Sequence, residues 1–196
     1  MDSQQKVSGL IMPIVAYGDP VLKKVAVDIS ADHPGLSELI DNMFATMYNA
    51  HGVGLAAPQV GQSVRLFVVD ASPFAEEHPE LDGFKKVFIN PHIEEENGKE
   101  WAFNEGCLSL PGIREDVMRR PDIVLRYMDE QFMPHREAFN GLVARVIQHE
   151  HDHLDGILFT DRLSPLRRRL VKGKLTDISK GILDAEYRMR FFSLRR

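Results

Sequence analysis

The residues most suited to chemistry lie in one short stretch, residues 146–159, which reads VIQHEHDHLDGILF. His149 and His153 are four residues apart, so on a helix their side chains share one face and can reach a single cation. Glu150 follows the first histidine, where its carboxylate can meet a water molecule at that cation. His151 lies about 200° around the helix from His149 and is expected to pack or to face solvent. The stretch predicts either two ligands of a metal site or a helix with satisfied core histidines.

A catalytic metal site of this kind needs a third protein ligand. In the pattern HExxHxxGxxH that ligand comes six residues after the second histidine, but here the position is Phe159, which cannot bind a metal. Glu186 is a later acidic residue in a basic segment and is a poor candidate. Cys107 remains, the single cysteine of the chain. A lone cysteine is usually a small buried hydrophobe, although the flanking glycine, glutamate and serine favour a tight polar turn.

Three segments together resemble the signature motifs of the peptide deformylase family. They are residues 52–59 (GVGLAAPQ), 105–109 (EGCLS) and 148–153 (QHEHDH). Each segment matches its motif at the positions that define that motif, and the three follow one another in the family's order. The similarity extends from about Ile14 to Leu163. It implies a metal-dependent hydrolase that removes the formyl group from the N-terminal formyl-methionine of newly synthesised proteins and releases formate.

The resemblance also implies a ligand set. Cys107, His149 and His153 would hold one divalent metal ion, and Glu150 would transfer the proton of the attacking water to the leaving amine. The family favours Fe²⁺ as the physiological ion. One thiolate with two imidazoles equally suits Zn²⁺, Ni²⁺ or Co²⁺.

Further roles follow from family position. The side-chain amide of Gln59 and the backbone N–H of Leu108 would stabilise the oxyanion of the reaction. Glu105 and Gln148 would orient their neighbours. Arg145 is expected near the pocket, with its stem packed and its guanidinium in water. The residues expected to bind substrate are Gly52, Val53, Gly54, Arg114 and Val146.

Two rival functions remain open on the residues alone. An HExxH zinc peptidase is the enzymatic rival, and it needs a third ligand other than Cys107. An inactive ribosome-associated binding protein is the other. This alternative is suggested by residues 162–196, which contain eleven basic and three acidic residues and so carry a charge of +8. Because the net charge of the chain is −5, the remaining 161 residues carry −13. A basic segment of this kind is typical of a solvated helix or of a contact with ribosomal RNA.

Two helices must position the motifs, and a third is predicted near the C-terminus. Residues 36–50 carry apolar side chains at helical spacing. The HExxH helix is predicted to start after Asn140 as N-cap and to end near Gly156. Residues 166–194 predict a final helix, weakened by two glycines.

Strands are predicted between these helices. Residues 63–70, 87–93 and 123–129 are apolar runs of strand length, and 132–139 is less regular because a proline interrupts it. Residues 51–61, with three glycines, read as an ordered loop. The pattern predicts an α+β fold, with antiparallel or mixed sheets around the central HExxH helix and a C-terminal helix.

Composition limits the class of protein. A chain of 196 residues with 43% hydrophobic and 27% charged residues is typical of one globular domain. We expect a single domain over residues 1–196, with a catalytic core at about 14–163 and a basic helical segment at 164–196. No apolar run approaches the roughly 20 residues of a membrane span, and the N-terminus lacks the pattern of an export signal. We therefore expect a cytoplasmic protein whose partners are nascent chains and the ribosome, without membrane or DNA.

Overall fold

The computed structural model describes residues 9–192, and this part of the chain forms three α-helices and nine strands. The helices are α1 (Leu36–Asn49), α2 (Gly141–Leu154) and α3 (Pro165–Ser179). The strands are β1 (Ile14–Val15), β2 (Gly54–Ala56), β3 (Leu66–Asp70), β4 (Lys85–Asn97), β5 (Trp101–Gly106), β6 (Arg114–Arg119), β7 (Asp122–Met128), β8 (Pro134–Asn140) and β9 (Met189–Arg190). None of the helices in these residues is long and apolar enough to cross a membrane. The predicted α+β class is confirmed.

The largest sheet has five strands in the order β2-β3-β4-β7-β8, and all its neighbours are antiparallel. β3 is buried along its whole length. Phe67 and Val69 pack into a core cluster with α2, whereas Leu66 and Val68 pack into a second cluster with α1. Because successive strand residues point to opposite faces, α1 and α2 cover opposite faces of the sheet. This double burial explains why β3 reads as a continuous apolar run.

The central helix α2 has the predicted boundaries. Asn140 occupies its N-cap position. Beyond its last turn, Gly156 adopts a left-handed φ of 71°, and the N–H of Ile157 donates to the carbonyl of Asp152 over 2.9 Å. This Schellman arrangement satisfies carbonyls at the helix end and favours glycine at that position. The end of the HExxH helix is therefore fixed by local chemistry.

The antiparallel hairpin of β5 and β6 is not indicated by the sequence patterns. The buried positions of β6 are Val117 and Arg119, and Arg119 is fully enclosed in the core. A buried arginine breaks the apolar and polar alternation on which strand prediction depends. The hairpin positions the third candidate metal ligand, since β5 ends at Gly106, immediately before Cys107.

Two predicted boundaries need correction. The predicted loop 51–61 contains a strand, β2, which pairs with β3, and a 3-10 turn, Ala57–Val60. The proline in the predicted strand 132–139 does not interrupt it, because β8 starts at Pro134 on the sheet edge, where a missing N–H is tolerated.

The predicted final helix over residues 166–194 is wrong beyond Ser179. α3 stops there because Gly181 adopts a φ of 73° and the N–H of Ile182 donates to the carbonyl of Asp177 over 2.9 Å. The chain then turns back, and β9 pairs in parallel with β1. The end of the predicted helix, from residue 193, lies outside the described residues.

Candidate active site

Two elements bring three metal-ligating side chains together. α2 presents His149 and His153, whose ring centroids are 5.1 Å apart, and the turn after β5 presents Cys107. One ligand atom from each residue lies within 4.8 Å of the others, and Cys107 Sγ is 3.3 Å from His153 Nε2. Within residues 9–192, no other group of three such residues converges in this way. A soft sulfur donor with two imidazoles suits a divalent transition-metal ion in tetrahedral geometry, so the residues fit the expected metal.

The two histidines have different surroundings. His149 Nδ1 lies 2.9 Å from Glu105 Oε2, which leaves Nε2 for an ion. Burial alone would lower the pKa of His149, but its hydrogen bonds with Cys107 and Glu105 and the charges of Cys107 and Glu150 raise that pKa well above its usual range. Burial, together with the charge of His149, lowers the pKa of His153 well below its usual range. Metal ions bind the neutral imidazole, so the lowered pKa favours that form at His153, whereas an ion bound by His149 would displace its proton.

Glu150 is enclosed beside the ligands. It is 4% exposed, and its Oε2 has no hydrogen-bond partner among the described residues. Burial raises the pKa of Glu150 to about 7, against the opposing charge of His149. A carboxylate with a pKa near neutrality can both accept and return a proton at working pH.

Glu105 is the centre of a buried network behind the ligands. Its carboxylate accepts two hydrogen bonds from Arg119, at 2.7 and 3.0 Å, and one from Arg145 at 3.0 Å. Burial would raise the pKa of Glu105, but the hydrogen bonds from His149 and Arg119 and their charges hold it well below its usual range. Glu105 is thus an anion that orients His149.

The expectation that the Arg145 guanidinium reaches water is wrong. Arg145 is 2% exposed, and its guanidinium donates to the carbonyls of Val117 and Trp101 as well as to Glu105. It also lies 4.6 Å from the Trp101 ring centroid. These partners replace water around the cation, which is why it can be buried.

A second carboxylate extends the network and was not assigned a role from the sequence. Asp152 accepts hydrogen bonds from Arg119 at 2.7 Å and from Arg162 at 2.6 Å. Both arginines were missed, because arginine is usually exposed and nothing in their spacing distinguishes them. His151 points away from the ligands, with Nε2 3.1 Å from the Arg65 guanidinium, and Gln148 donates to the backbone of Arg120.

Gln59 lies on the 3-10 turn Ala57–Val60 and is buried. Its Oε1 accepts a hydrogen bond from the N–H of Ala56 over 2.8 Å. This bond turns the amide nitrogen toward Cys107 Sγ at 3.5 Å and Ser109 Oγ at 3.4 Å. The amide N–H groups of Gln59 therefore face the ligand cluster.

A cleft of about 810 Å³ opens onto these groups. Its lining includes Leu108 and every residue predicted to bind substrate, namely Gly52, Val53, Gly54, Arg114 and Val146. Arg114 is held by hydrogen bonds to the side chain and carbonyl of Asn104 at 2.9 and 2.7 Å. The cleft wall also includes residues 184–187. Sequence reasoning missed them, since it assigned this segment to a helix.

Comparisons with known proteins identify the family of this chain. The family model for polypeptide deformylase matches residues 11–169. A peptide deformylase from Christiangramia forsetii is 60% identical over 190 residues, covering 93% of this chain and 96% of the relative. The crystal structure of a peptide deformylase from Legionella pneumophila is 39% identical, with a TM-score of 0.76 over 87% of this chain and 96% of that one. The crystal structure of a peptide deformylase from Acinetobacter baumannii with Met-Ala-Ser bound is 36% identical, with a TM-score of 0.71 over 79% of this chain and 99% of that one.

These similarities cover most of the chain, including all three motifs. They decide against a zinc peptidase and against an inactive binding module, both of which the residues alone left open. The chain belongs to the peptide deformylase family, the hydrolases that remove the formyl group from the N-terminus of newly synthesised polypeptides.

Proposed function

We propose that Cys107, His149 and His153 hold one divalent metal ion, Fe²⁺ in the cell, and that Glu150 transfers the proton in deformylation. The observation that carries this proposal is the convergence of the three ligand atoms within 4.8 Å of one another. Glu150 beside these ligands also supports the proposal, because burial raises the pKa of its carboxyl group to about 7. Zn²⁺, Ni²⁺ and Co²⁺ suit the same donors and are alternatives in purified protein.

The protein's own groups supply the proton transfer. A divalent ion in such a site provides Lewis acidity, which lowers the pKa of water toward neutrality and polarises a carbonyl group. Glu150 accepts the proton of the attacking water and returns it to the amine nitrogen that leaves. Glu150 is suited to both transfers because it is enclosed beside the proposed ligands and its Oε2 has no hydrogen-bond partner among the described residues.

The oxyanion formed at the formyl group is stabilised by Gln59 and Leu108 in this proposal. The Gln59 amide is already oriented toward the ligands by its bond from Ala56 N–H. Leu108 follows a metal ligand directly and lines the same cleft. Preorganised donors of this kind are each worth about 3–4 kcal/mol in the reaction barrier.

The substrate is proposed to lie in the cleft with its methionine side chain among apolar residues. Val53, Leu108 and Val146 offer such a slot, while Gly52 and Gly54 allow close approach of backbone. Arg114, on the exposed rim, is placed to contact the peptide backbone. The Acinetobacter baumannii relative with Met-Ala-Ser bound supports a peptide ligand that begins with methionine.

A contact between residues 164–196 and ribosomal RNA completes the proposal. In α3, Arg167 is paired with Glu115 at 2.9 Å, whereas Arg169, Lys172 and Lys174 are exposed. Such a cationic face would bind phosphates with steep salt dependence. We place the activity in the cytoplasm, where nascent chains are made. We retain the single domain of residues 1–196, with its core at about 14–163, as a proposal.

One set of assays tests these roles. Formate release from formyl-Met-Ala should disappear with a chelator and in Glu150→Ala, whereas His151→Gln, a change at the histidine that faces away, should keep both metal and activity. Cys107→Ser should lose bound metal, and full metal content in that variant would refute the ligand set. Metal analysis of protein purified without oxygen identifies the ion. Ribosome co-sedimentation that does not weaken with salt would remove the RNA contact.

A further inference from the structure

The segment after α3, here called the C-terminal arm (residues 180–192), returns to the catalytic cleft. Tyr187 on this arm lines the cleft, and its hydroxyl donates a hydrogen bond to the carbonyl oxygen of Leu108 over 2.7 Å. The next carbonyl, of Ser109, accepts a hydrogen bond from the backbone N–H of Tyr17 over 2.9 Å. Two successive carbonyls of the turn after β5 are thus held by groups from opposite ends of the chain.

The arm is itself fixed by pairing and packing. In the β1–β9 ladder, the N–H of Ile14 donates to the carbonyl of Arg188 and the N–H of Ala16 donates to the carbonyl of Arg190, both over 2.9 Å. The arm's side chains that pack against the same core cluster as Cys107 are Leu183, Met189 and Phe191. The Tyr187 hydroxyl is therefore presented by a segment anchored on both sides of it.

The same arm touches the turn that carries Gln59. That turn, Ala57–Val60, ends at Gly61, which adopts a left-handed φ of 86°. A Cβ atom on Gly61 would lie 2.5 Å from a guanidinium nitrogen of Arg190. The same guanidinium lies 3.7 Å from the carboxylate of Asp19. The Arg190 side chain is thus pressed against the backbone at the end of the Gln59 turn.

We propose that the C-terminal arm holds both oxyanion donors in place, with Tyr187 as a positioning residue for Leu108 and Arg190 for the Gln59 turn. This inference rests on the roles proposed above for Leu108 and Gln59. Preorganised donors lower a barrier because they need no reorganisation during the reaction. Groups that fix the backbone of a donor therefore raise kcat without touching the reacting atoms, since small displacements cost rate steeply.

The first experiment removes the Tyr187 hydroxyl and keeps its ring. In the metal-loaded enzyme, we expect Tyr187→Phe to lower kcat for formyl-Met-Ala roughly 5- to 20-fold while KM changes less than about twofold. The matched control is Tyr127→Phe on β7, which removes a hydroxyl that donates to Glu137 over 2.9 Å outside the cleft. Because each variant loses one hydrogen bond, Tyr127→Phe and Tyr187→Phe should lower Tm by similar amounts. The kcat of Tyr127→Phe should stay within about twofold of the wild-type value.

A second measurement reports on the turn without depending on catalysis. Amide hydrogen exchange over residues 105–112 should become faster in Tyr187→Phe and stay unchanged in Tyr127→Phe. Metal content should be equal in both variants, because neither change removes a ligand. Loss of metal in Tyr187→Phe would show that the arm supports the ligand turn as a whole and would overturn the specific role in oxyanion positioning.

Gln59→Ala separates failure of this inference from failure of the proposed function. A loss of roughly 100-fold or more in kcat by Gln59→Ala, with a loss under about twofold by Tyr187→Phe, would overturn the role of the arm and leave the oxyanion donors assigned. Wild-type kcat in Gln59→Ala would overturn the donor assignment, and with it the role of the arm in catalysis. Unchanged hydrogen exchange in Tyr187→Phe would overturn the contact itself.

Discussion

Gly54 and Glu150 lie so close together that only glycine leaves room for the carboxylate. A Cβ atom at Gly54 would lie 2.5 Å from Glu150 Oε1 and 2.9 Å from its carboxyl carbon. Gly54 is in β2 and does not have the positive φ found at other glycines of the described residues. The requirement is therefore steric, and it links the glycine-rich motif to the carboxylate of α2.

Replacing this glycine should damage catalysis more than folding. We expect Gly54→Ala to push the Glu150 carboxylate aside and lower kcat for formate release roughly 10- to 100-fold. Metal content should stay at the wild-type level, because no ligand moves, and unfolding free energy should fall by about 1–3 kcal/mol from overpacking. Steady-state kinetics with metal analysis tests this. Wild-type kcat would contradict the contact.

Neutralising Glu105 should destabilise the protein and weaken metal binding together. Glu105→Gln leaves Arg119 and Arg145 buried without their shared anion, so we expect a loss of about 3–5 kcal/mol in urea unfolding. Metal affinity, measured by chelator competition, should fall about 10- to 100-fold because His149 loses its partner. Glu95→Gln, on the exposed pair with Arg136, is the control and should change stability by less than about 0.5 kcal/mol. Equal effects in both variants would refute the buried network.

Glu137 should make stability depend on pH in the acid range. Burial opposes its ionisation, but hydrogen bonds from Lys86 and Tyr127 and the charge of Lys86 lower its pKa. Because the folded pKa lies below the unfolded value of about 4.3, the stabilisation is complete above that value and is lost as the pH falls through the folded pKa.

The Tm of the wild type should therefore exceed that of Glu137→Gln at pH 7, and the difference should shrink below about pH 4. Thermal unfolding of both proteins across this range measures the effect. A difference that stays constant with pH would show that the carboxylate charge does not stabilise the fold.

Two glycines of the C-terminal region should respond to alanine with opposite signs. Gly173 lies inside α3 with nothing within 4 Å of a Cβ position, so Gly173→Ala should stabilise the protein by about 0.5–1 kcal/mol. Gly181→Ala should destabilise it, because the φ of 73° is unfavourable for alanine. Tm values for the two variants test this, and a decrease for Gly173→Ala would mean that the helix needs glycine at that position.

Features that depend only on neighbouring residues could be predicted from the sequence. The four-residue spacing of His149 and His153 and the N-cap and C-terminal glycine of α2 are properties of one helix, so their positions follow from the local pattern. The three motifs identified the family, which the comparisons confirm. Cys107 was chosen as the third ligand only with the help of that resemblance, and its convergence with the histidines required the folded chain.

The contacts that depend on distant parts of the chain were decided by tertiary structure. Arg145 was expected in water, but its partner Glu105 lies 40 positions away and allows its burial. The Tyr187 hydroxyl reaches Leu108 across 79 positions, and only the return of the chain after Gly181 makes that possible. Periodicity reports which side of an element is apolar, but a buried charge or a long-range hydrogen bond depends on the partner that the fold brings to it.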